Sequence, residues 1–369
     1  MPHVLTVGFG YYVHIPFCAQ RCDYCAFATW TDRSHLIERY LNACRAQIAM
    51  TVAEGAPPAT SVYFGGGTPS LVPARALATV LSAVPRLDGA EVTVECNPDN
   101  VTADLVATYR DAGVNRLSFG VQSMAPHVLR ALGRTHDADN VRRSISLARD
   151  AGFDNVSVDL IYGAAGESIA DWSRTLDAVL ELAPAHLSAY ALTVEPGTPL
   201  ALDASRHPDD DDQAAKYVLA CERLAAAGLV WYEISNFARP GRECEHNLLY
   251  WRQGDYLGIG CAAHSHRGGH RWWNVRTPER FVDAITSGRP VEAAGEQLDE
   301  RDRTLERLQL ALRTRDGVPR GALPIEDINV RRLTESRGDR VVLTVDGRLL
   351  ANEVAMRLRQ EAIAGSSIT

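Results

Sequence analysis

Residues 14–25 read His14-Ile-Pro-Phe-Cys-Ala-Gln-Arg-Cys-Asp-Tyr-Cys25. This stretch places Cys18, Cys22 and Cys25 in a C-x3-C-x2-C pattern, with the aromatic Tyr24 just before the last cysteine. A structural zinc ion takes four ligands, so three thiolates leave such a site one ligand short. Thiolates also hold [4Fe–4S] clusters, in which one iron is able to take an outside ligand. The spacing therefore predicts a [4Fe–4S] cluster; a zinc knuckle with a distant fourth ligand and three unrelated thiols are the alternatives.

The composition is that of an ordinary globular protein. The 369 residues are 46% hydrophobic and 23% charged, with a formal net charge of −8, which provides no basic field for nucleic acid. The length predicts two or three domains, or one large barrel with an appendage. The sequence has neither an apolar run of about 18 residues nor a basic leader, so we expect a cytoplasmic protein.

Some side chains that other chemistries require are scarce. Lys216 is the one lysine, and no G-x4-G-K-S/T motif is present, which disfavours Schiff-base and P-loop functions. Five further cysteines are scattered along the chain: Cys44, Cys96, Cys221, Cys244 and Cys261. In a long cytosolic chain we expect these to be buried thiols and not a disulfide framework.

Strand and helix patterns alternate over the first half of the chain. Strands are predicted at 11–15, 61–64, 91–95, 116–120, 155–163 and 186–192, and helices at 35–54, 103–112, 137–151, 168–182 and 213–227. A helix end, a glycine and a strand recur at 110–118 and 149–157, and more loosely at 226–235. Such a series predicts a parallel sheet with helical crossovers. Six units are too few for a closed eight-fold barrel, so we predict an α/β fold, an open (β/α)6 partial TIM barrel.

Residues able to bind a ligand follow each predicted strand. In chain order they are the cysteine loop, Gly65-Gly66-Gly67, Glu95, Gln122, Asp159 and Thr193. Because (β/α) barrels build their active sites at the carboxyl ends of the strands, we predict that this rim is the site.

The chemistry of these positions is suited to a polar ligand. Glycines let the backbone approach a ligand closely, and Glu95 and Asp159 are suited to accept hydrogen bonds from hydroxyl or amino groups. The guanidinium of Arg134 is well shaped for a carboxylate. The plainer alternatives are a tight turn for the glycines and ordinary salt bridges for the charged residues. His14 is placed to orient the cysteine loop, but we do not predict that it is a ligand.

A second informative stretch contains His246-Asn247-Leu248-Leu249-Tyr250-Trp251. Histidine is an axial ligand of heme, and Tyr250 and Trp251 are suited to cover a porphyrin. The plain alternative is a packed loop. The acidic run 209–212 is expected to begin a helix, without a functional role.

These motifs together carry a family resemblance. YVHIPFC-x3-C-x2-C, YFGGGTPSL, ECNP, RLSFGVQS, LGRTH, SVDLIYG, YEISNFARPG, HNLLYW and GDYLGIGCAAHS occur in this order. The chain resembles the oxygen-independent coproporphyrinogen III oxidase-like group of radical S-adenosylmethionine (SAM) proteins, from about Tyr11 to its C-terminal end. Radical SAM domains have the open barrel shape predicted above.

Within this group the chain is most similar to the heme-chaperone branch. Oxidases of the group carry a further cysteine two residues after the third cluster ligand, where this chain has Phe27. They also have a longer extension before the first strand, whereas Tyr12 lies almost at the start. The HNxxYW block is typical of the chaperones, and residues 246–251 match it in full.

The resemblance implies a set of binding residues. Cys18, Cys22 and Cys25 would ligate the cluster, and Tyr24 would lie beside it. The SAM site would comprise Tyr12, Gly66, Gly67, Thr68, Glu95, Gln122, Arg134 and Asp159, and the heme residues would be His246, Asn247, Tyr250 and Trp251. One departure is Gly163-Ala164-Ala165-Gly166-Glu167, where the family often reads G-L-P-G-Q, and loss of the proline is expected to loosen this turn.

The C-terminal region is expected to form a separate accessory module. Leu305, Leu308, Leu310 and Leu312 precede Gly317, and VVLTVDGRLL suggests a hairpin turning at Asp346-Gly347, with a last helix from about Asn352. This order resembles a winged-helix-like module, but the acidic chain disfavours DNA. We expect three domains: a radical SAM core at 1–230, a heme-loop extension at 231–296 and the accessory domain at 297–369.

The sequence leaves three functions to compare. The favoured one is a heme chaperone that passes heme to respiratory proteins, with the membrane surface as one place of transfer and a homodimer left open. The alternative is a coproporphyrinogen III oxidase that uses a SAM-derived 5′-deoxyadenosyl radical, against which the missing cysteine argues. The third is a cluster-free protein with a zinc knuckle. The scaffold alone does not decide whether the protein is an enzyme.

Overall fold

A computed structural model describes residues 8–359 of the protein. The strands are β1 (Phe9–Ile15), β2 (Ala59–Gly66), β3 (Arg86–Cys96), β4 (Arg116–Gln122), β5 (Val156–Tyr162), β6 (His186–Ala191), β7 (Val230–Glu233), β8 (Asn236–Ala238), β9 (Asp255–Ile259), β10 (His264–Arg267), β11 (His270–Asn274), β12 (Glu292–Gln297), β13 (Val318–Pro319), β14 (Thr334–Arg337) and β15 (Arg340–Leu343). The α-helices are α1 (Ile37–Ala53), α2 (Ala74–Ala83), α3 (Ala103–Asp111), α4 (Pro126–Ala131), α5 (Ala138–Asp150), α6 (Ile169–Glu181), α7 (Asp210–Ala226), α8 (Glu245–Trp251), α9 (Pro278–Thr286), α10 (Glu300–Leu312), α11 (Ile328–Leu333), α12 (Val345–Leu349) and α13 (Ala351–Ala355).

The main sheet has twelve strands in the order β12-β11-β10-β9-β1-β2-β3-β4-β5-β6-β8-β7. Strands β1 to β6 pair in parallel and in chain order, which confirms the predicted open partial barrel. A seventh parallel strand, β9, pairs with the free edge of β1 and was not predicted. The antiparallel strands β7 and β8 extend the other edge next to β6. The segment proposed as a heme-loop extension, 231–296, therefore adds strands at both edges of the core sheet.

The two faces of each barrel strand have different roles. In β4, Leu117 and Phe119 are fully buried and join the hydrophobic core that packs against the helices. Ser118 and Gln122 alternate with them and line a cavity inside the barrel. Because side chains alternate across a strand, the apolar face holds the helices and the polar face forms the site.

Glycines end the helices that lead into the strands, as the repeated junction predicted. Gly113, Gly152 and Gly228 have φ angles of 92°, 85° and 78°, a left-handed conformation that glycine adopts without a Cβ clash. At the other end, Ser168 and Asp171 form a capping box that begins α6.

The acidic run begins a helix, as predicted, but three residues earlier than expected. The side chain of Asp209 accepts a hydrogen bond from the Asp212 amide, so α7 begins at Asp210 and not at Gln213.

The C-terminal module has the expected order of helices and a small sheet. Strands β13, β15 and β14 form a three-stranded antiparallel sheet, and α10 packs on it. The predicted turn at Asp346-Gly347 is wrong, because the Thr344 hydroxyl caps a helix there by accepting a hydrogen bond from the Gly347 amide. The hairpin is formed instead by β14 and β15, with Gly338 and Asp339 between Arg337 and Arg340.

The scattered cysteines are all buried free thiols, as predicted. Among residues 8–359, no helix is long and apolar enough to cross a bilayer.

Candidate functional site

A cavity of about 920 Å³ opens at the carboxyl ends of the parallel strands and extends into the barrel. It brings together all the residues predicted for the cluster and SAM, and three of the four predicted for heme: Cys18, Cys22, Cys25, Tyr12, Tyr24, Gly66, Gly67, Thr68, Glu95, Gln122, Arg134, Asp159, His246, Asn247 and Tyr250. Trp251 is the predicted site residue that does not line this cavity. A volume of this size is within the range of small-molecule and cofactor sites.

The cysteine loop is held by backbone hydrogen bonds at its two ends. The amide of Cys18 donates to the Trp30 carbonyl (3.1 Å), and the amide of Trp30 donates to the Pro16 carbonyl (2.8 Å). Within the loop, the Cys25 amide donates to the Cys22 carbonyl (3.2 Å). The three cysteines are half-buried free thiols that face the cavity, so their sulfur atoms are accessible to a group bound there.

The surroundings of the sulfur atoms fit an anionic thiolate cluster. Arg134 Nη1 lies 3.6 Å from Cys22 Sγ, and Thr68 Oγ1 lies 3.7 Å from Cys18 Sγ. A Cβ on Gly67 would lie 2.7 Å from the Ile15 carbonyl oxygen and 3.1 Å from Cys18 Sγ, so glycine is required beside this sulfur. Between residues 8 and 359, no three His, Cys, Asp or Glu side chains form a group able to hold a single metal ion.

Glu95 positions the glycine loop. Its Oε2 accepts a hydrogen bond from the Gly66 amide (3.1 Å), and its Oε1 accepts one from the Tyr63 hydroxyl (2.8 Å). Burial raises the pKa of Glu95 to about 7, against the opposing effect of the Tyr63 hydrogen bond.

The glycine at position 66 is required both by its backbone and by a neighbour. Its φ angle is 109°, and a Cβ there would lie 2.3 Å from His14 Nδ1. On the other side of this ring, His14 Nε2 lies 2.9 Å from the Ala28 carbonyl oxygen, beyond the last cluster cysteine. His14 therefore lies between the glycine loop and the segment that follows the cysteine loop.

Gln122 and Asp159 face the cavity for different physical reasons. The pairing of β4 with β5 shifts register between Gly120 and Gln122, and Gln122 has a φ angle of 65°, so a bulge turns its side chain. Asp159 accepts hydrogen bonds from Ser118 (2.9 Å) and Ser188 (2.6 Å) on the strands beside it. Burial raises its pKa above the ordinary range.

The guanidinium of Arg134 is already engaged within the protein. Besides its contact with Cys22, its Nη2 donates to the Gly120 carbonyl (2.9 Å). Tyr12 similarly has its hydroxyl 3.1 Å from His14 Nδ1. Both side chains are thereby fixed at the cavity wall.

The turn after β5 is held firmly despite its missing proline. Glu167 Oε2 accepts a hydrogen bond from the Gly163 amide (2.6 Å), and the fully buried Lys216 donates to the Glu167 carbonyl (2.7 Å). Lys216 also forms an ion pair with Asp212 (2.5 Å). The expected loosening is therefore opposed by the one lysine of the chain.

The HNxxYW segment is a helix, α8, and not the packed loop that was the plain alternative. His246 is buried (1% exposed), with Nδ1 at 2.9 Å from Ser61 Oγ and Nε2 at 2.8 Å from the Tyr250 hydroxyl. Its ring stacks on Tyr63, with centroids 5.4 Å apart. Burial lowers the pKa of His246 to about 3, so the imidazole is neutral at physiological pH. Asn247 donates to Glu233 Oε1 (2.8 Å).

Sequence reasoning missed the residues on the inner wall of the barrel. They include Tyr63, Arg116, Ser118, His186, Ser188 and Tyr232, all of which line the cavity. The signal was present in β4 as the alternation back from Gln122 through Ser118 to Arg116. This alternation identifies cavity residues only once it is known which face of the strand points into the barrel.

Comparison with known proteins agrees with this geometry. The family model described as "Radical SAM superfamily" matches residues 12–179, which contain the cysteine loop, the second half of β1 and all of β2 to β5. Fold and site thus define a radical SAM protein.

Two curated relatives extend the similarity to nearly the whole chain. The heme chaperone HemW of Mycobacterium tuberculosis is 42% identical over 369 residues, covering 95% of this chain and 94% of the relative. HemW of Bacillus subtilis is 34% identical over 368 residues, covering 93% and 97%. The chain belongs to the radical SAM superfamily and, within it, to the HemW family.

A solved structure shares the fold. Coproporphyrinogen III oxidase (HemN) from Escherichia coli superposes with a TM-score of 0.82, covering 95% of this chain and 89% of its own, at 23% identity. At this identity the likeness concerns the fold alone. Membership of the superfamily implies a [4Fe–4S] cluster and SAM, which when bound supply one-electron chemistry.

Proposed function

We propose that the protein is a heme chaperone, which binds heme and delivers it to respiratory heme proteins, with the membrane surface as one place of transfer. The observation that carries this proposal is the 42% identity to a protein named heme chaperone HemW over 95% of the chain. Phe27, where oxidases of the group have a cysteine, also supports it.

The proposed cofactor sites lie around the rim of the cavity. Cys18, Cys22 and Cys25 hold the cluster, with Tyr24 beside it. The SAM site comprises Tyr12, Gly66, Gly67, Thr68, Glu95, Gln122, Arg134 and Asp159. The donors to Cys18 and Cys22 sulfur and the Glu95-held glycine loop support this assignment.

Heme is proposed to occupy the cavity and to contact the face of α8. His246 and Tyr250 both line the cavity, and the neutral imidazole of His246 is the form able to bind iron. Its Nε2 is paired with the Tyr250 hydroxyl, so axial ligation through that atom requires this hydrogen bond to open first. Trp251 is proposed to act from outside the cavity by supporting α8.

Replacement of His246 tests the proposed ligand. We expect His246→Ala to lower heme affinity and shift the heme absorbance spectrum, because an axial ligand is lost. Tyr250→Phe removes the hydroxyl that competes for Nε2 and should leave the ligand in place. His35→Ala, at an exposed histidine, is the matched control. An unchanged spectrum and affinity in His246→Ala would exclude the ligand role.

The oxidase alternative has a separate test. Cluster-reconstituted protein is incubated anaerobically with SAM, dithionite and coproporphyrinogen III, and the products are separated by chromatography. The proposal expects no decarboxylated, vinyl-bearing product. Its appearance together with 5′-deoxyadenosine would replace the chaperone function with catalysis.

A further inference from the structure

The interior wall of β4 carries a cation deep in the barrel. Side chains alternate along this strand, and Gln122, Ser118 and Arg116 all face the cavity. Gln122 lies at the carboxyl end of the strand, near the rim. Arg116 is the first residue of β4, so it lies at the opposite end of the barrel, far from the cysteine loop.

One nitrogen of the buried Arg116 guanidinium has no hydrogen-bond partner. Its exposed fraction is 1%, and its Nε has no hydrogen-bond acceptor among residues 8–359. Arginine is almost never buried unless it is paired, because its charge loses the solvation of water. The Nε–H group of Arg116 is therefore free to donate to a ligand, because no acceptor in the described part of the protein pairs with it.

The polar groups around Arg116 are committed to other partners. Glu91 Oε1 accepts hydrogen bonds from Cys244 Sγ (3.4 Å) and the His246 amide (3.2 Å), so this carboxylate holds the start of α8. The Tyr232 hydroxyl lies 2.8 Å from His186 Nε2. Despite its burial, these groups and the Tyr63 hydroxyl act on Arg116 through space and raise its pKa, while its Nε has no hydrogen-bond partner within residues 8–359.

Two further carboxylates, those of Asp159 and Glu95, interact electrostatically with Arg116. Asp159 is held by the two serines on its flanking strands, and Glu95 is held by Tyr63 and Gly66. Both are buried, and burial favours their neutral forms. Neither carboxylate provides the missing acceptor at Nε, and because the groups around Arg116 raise its pKa, the guanidinium stays charged near neutral pH.

The other cations that line the cavity are near the cysteines. Arg134 contacts Cys22 and the Gly120 carbonyl, and Arg21 Nη2 donates to the Cys25 carbonyl (3.2 Å). The cavity thus has cations at the rim, where SAM is proposed to bind, and one separate cation at its inner end.

We propose that Arg116 anchors a carboxylate of the ligand that enters the barrel, and that for the heme cargo this group is a propionate. The inference rests on the proposed function, since it names the part of heme that the inner end of the cavity recognises. Charge-assisted pairing of a guanidinium with a carboxylate is strong and directional. It would orient the porphyrin with one propionate inward and its ring between Arg116 and the rim.

Esterified heme tests this anchor. Cluster-reconstituted protein is titrated with ferric heme and with ferric heme dimethyl ester, which lacks both carboxylates. We expect wild type to bind free heme about tenfold or more tightly than the ester, the range for a hydrogen bond to a charged group. Arg116→Gln should lower the affinity for free heme to that for the ester and leave ester binding unchanged. Arg116→Lys should retain part of the preference, and the exposed Arg142→Gln should retain all of it.

The outcomes separate this inference from the proposed function. If wild type binds both forms equally, the anchor is overturned and the chaperone function stands; if it binds neither, both fall. Titration of Arg116→Gln with SAM distinguishes the other source of a carboxylate: loss of SAM binding with an intact preference for free heme would assign Arg116 to SAM. If both Arg116 variants fail to incorporate the cluster, the wild-type comparison of heme with its ester still decides whether a carboxylate is recognised.

Discussion

Binding of SAM should weaken as the pH falls through 7, because of Glu95. This carboxylate receives the Gly66 amide and the Tyr63 hydroxyl, and burial raises its pKa to about 7. Only the ionised form offers two acceptor oxygens to the amino and hydroxyl groups of a ligand while keeping both internal hydrogen bonds.

The size of the effect follows from the pKa. With a pKa of about 7, roughly one-tenth of Glu95 is ionised at pH 6 and roughly nine-tenths at pH 8, so SAM affinity should fall about tenfold between them. The stability of the ligand-free protein should change in the opposite direction. The folded pKa of Glu95 lies above its ordinary value of 4.5, so this group favours folding increasingly as the pH falls from about 7 toward 4.5.

Calorimetric titration of SAM into cluster-loaded protein from pH 6 to pH 8 measures the effect. Glu95→Gln should bind more weakly at pH 8 and lose most of the pH dependence that wild type shows. The exposed Glu222→Gln is the matched control and should keep the wild-type pH dependence. A flat wild-type profile would refute the reasoning, because no titration would then be coupled to SAM binding. The same slope in Glu95→Gln would also refute it, since SAM or another group would be the one that titrates.

Three further results are expected. Lys216 Nζ also lies 3.3 Å from the buried Glu167 carboxylate, so Lys216→Met leaves that carboxylate without its cation. This change should lower the free energy of unfolding, measured by urea denaturation, by about 3–5 kcal/mol, and Lys216→Met/Glu167→Gln should recover part of the loss. An unchanged urea midpoint would mean that this ion pair contributes nothing. Gly66→Ala should abolish SAM binding because its Cβ would lie 2.3 Å from His14 Nδ1, whereas Gly89→Ala, with a φ angle of 79° and nothing within 4 Å, should cost stability alone; equal binding by both variants would contradict the steric argument. In native protein without a cluster, a thiol reagent should label Cys18, Cys22 and Cys25 quickly and the five buried cysteines only after unfolding, as counted by mass spectrometry, and rapid labelling of more than three would show that the core opens.

The six parallel strands could be predicted because their signals are local. Each has its own apolar alternation and a glycine or helix cap beside it, as at Gly113 before β4. Strand β9 has no such local signal. Its parallel partner β1 lies about 240 residues earlier, and the sequence of a five-residue segment does not indicate a partner at that separation. The Asp346-Gly347 turn failed for a related reason, because the competing cap from Thr344 is equally local and prevailed.

The candidate site likewise has a part that could be predicted from the sequence and a part that could not. Its rim could be predicted, since the position of a residue after a strand fixes the end of the barrel at which it lies. The interior could not, because Arg116 reads as an ordinary strand residue until its inward face is known. The sequence identified His246 but gave no indication of its burial or of its pairing with Ser61 and Tyr250, both of which depend on where α8 packs.

The C-terminal module is attached directly to the part of the barrel that carries the inner end of the cavity. The Arg315 amide donates to the Tyr232 carbonyl (2.9 Å), Arg315 pairs with Glu243 (2.7 Å), and Gln253 donates to Glu306 (2.6 Å). Ile234, next to β7, packs into the core of the module. Removal of the residues after 296 would therefore remove contacts that support the cavity walls around Tyr232 and α8. Such a truncated chain would not keep the cavity of the full-length protein.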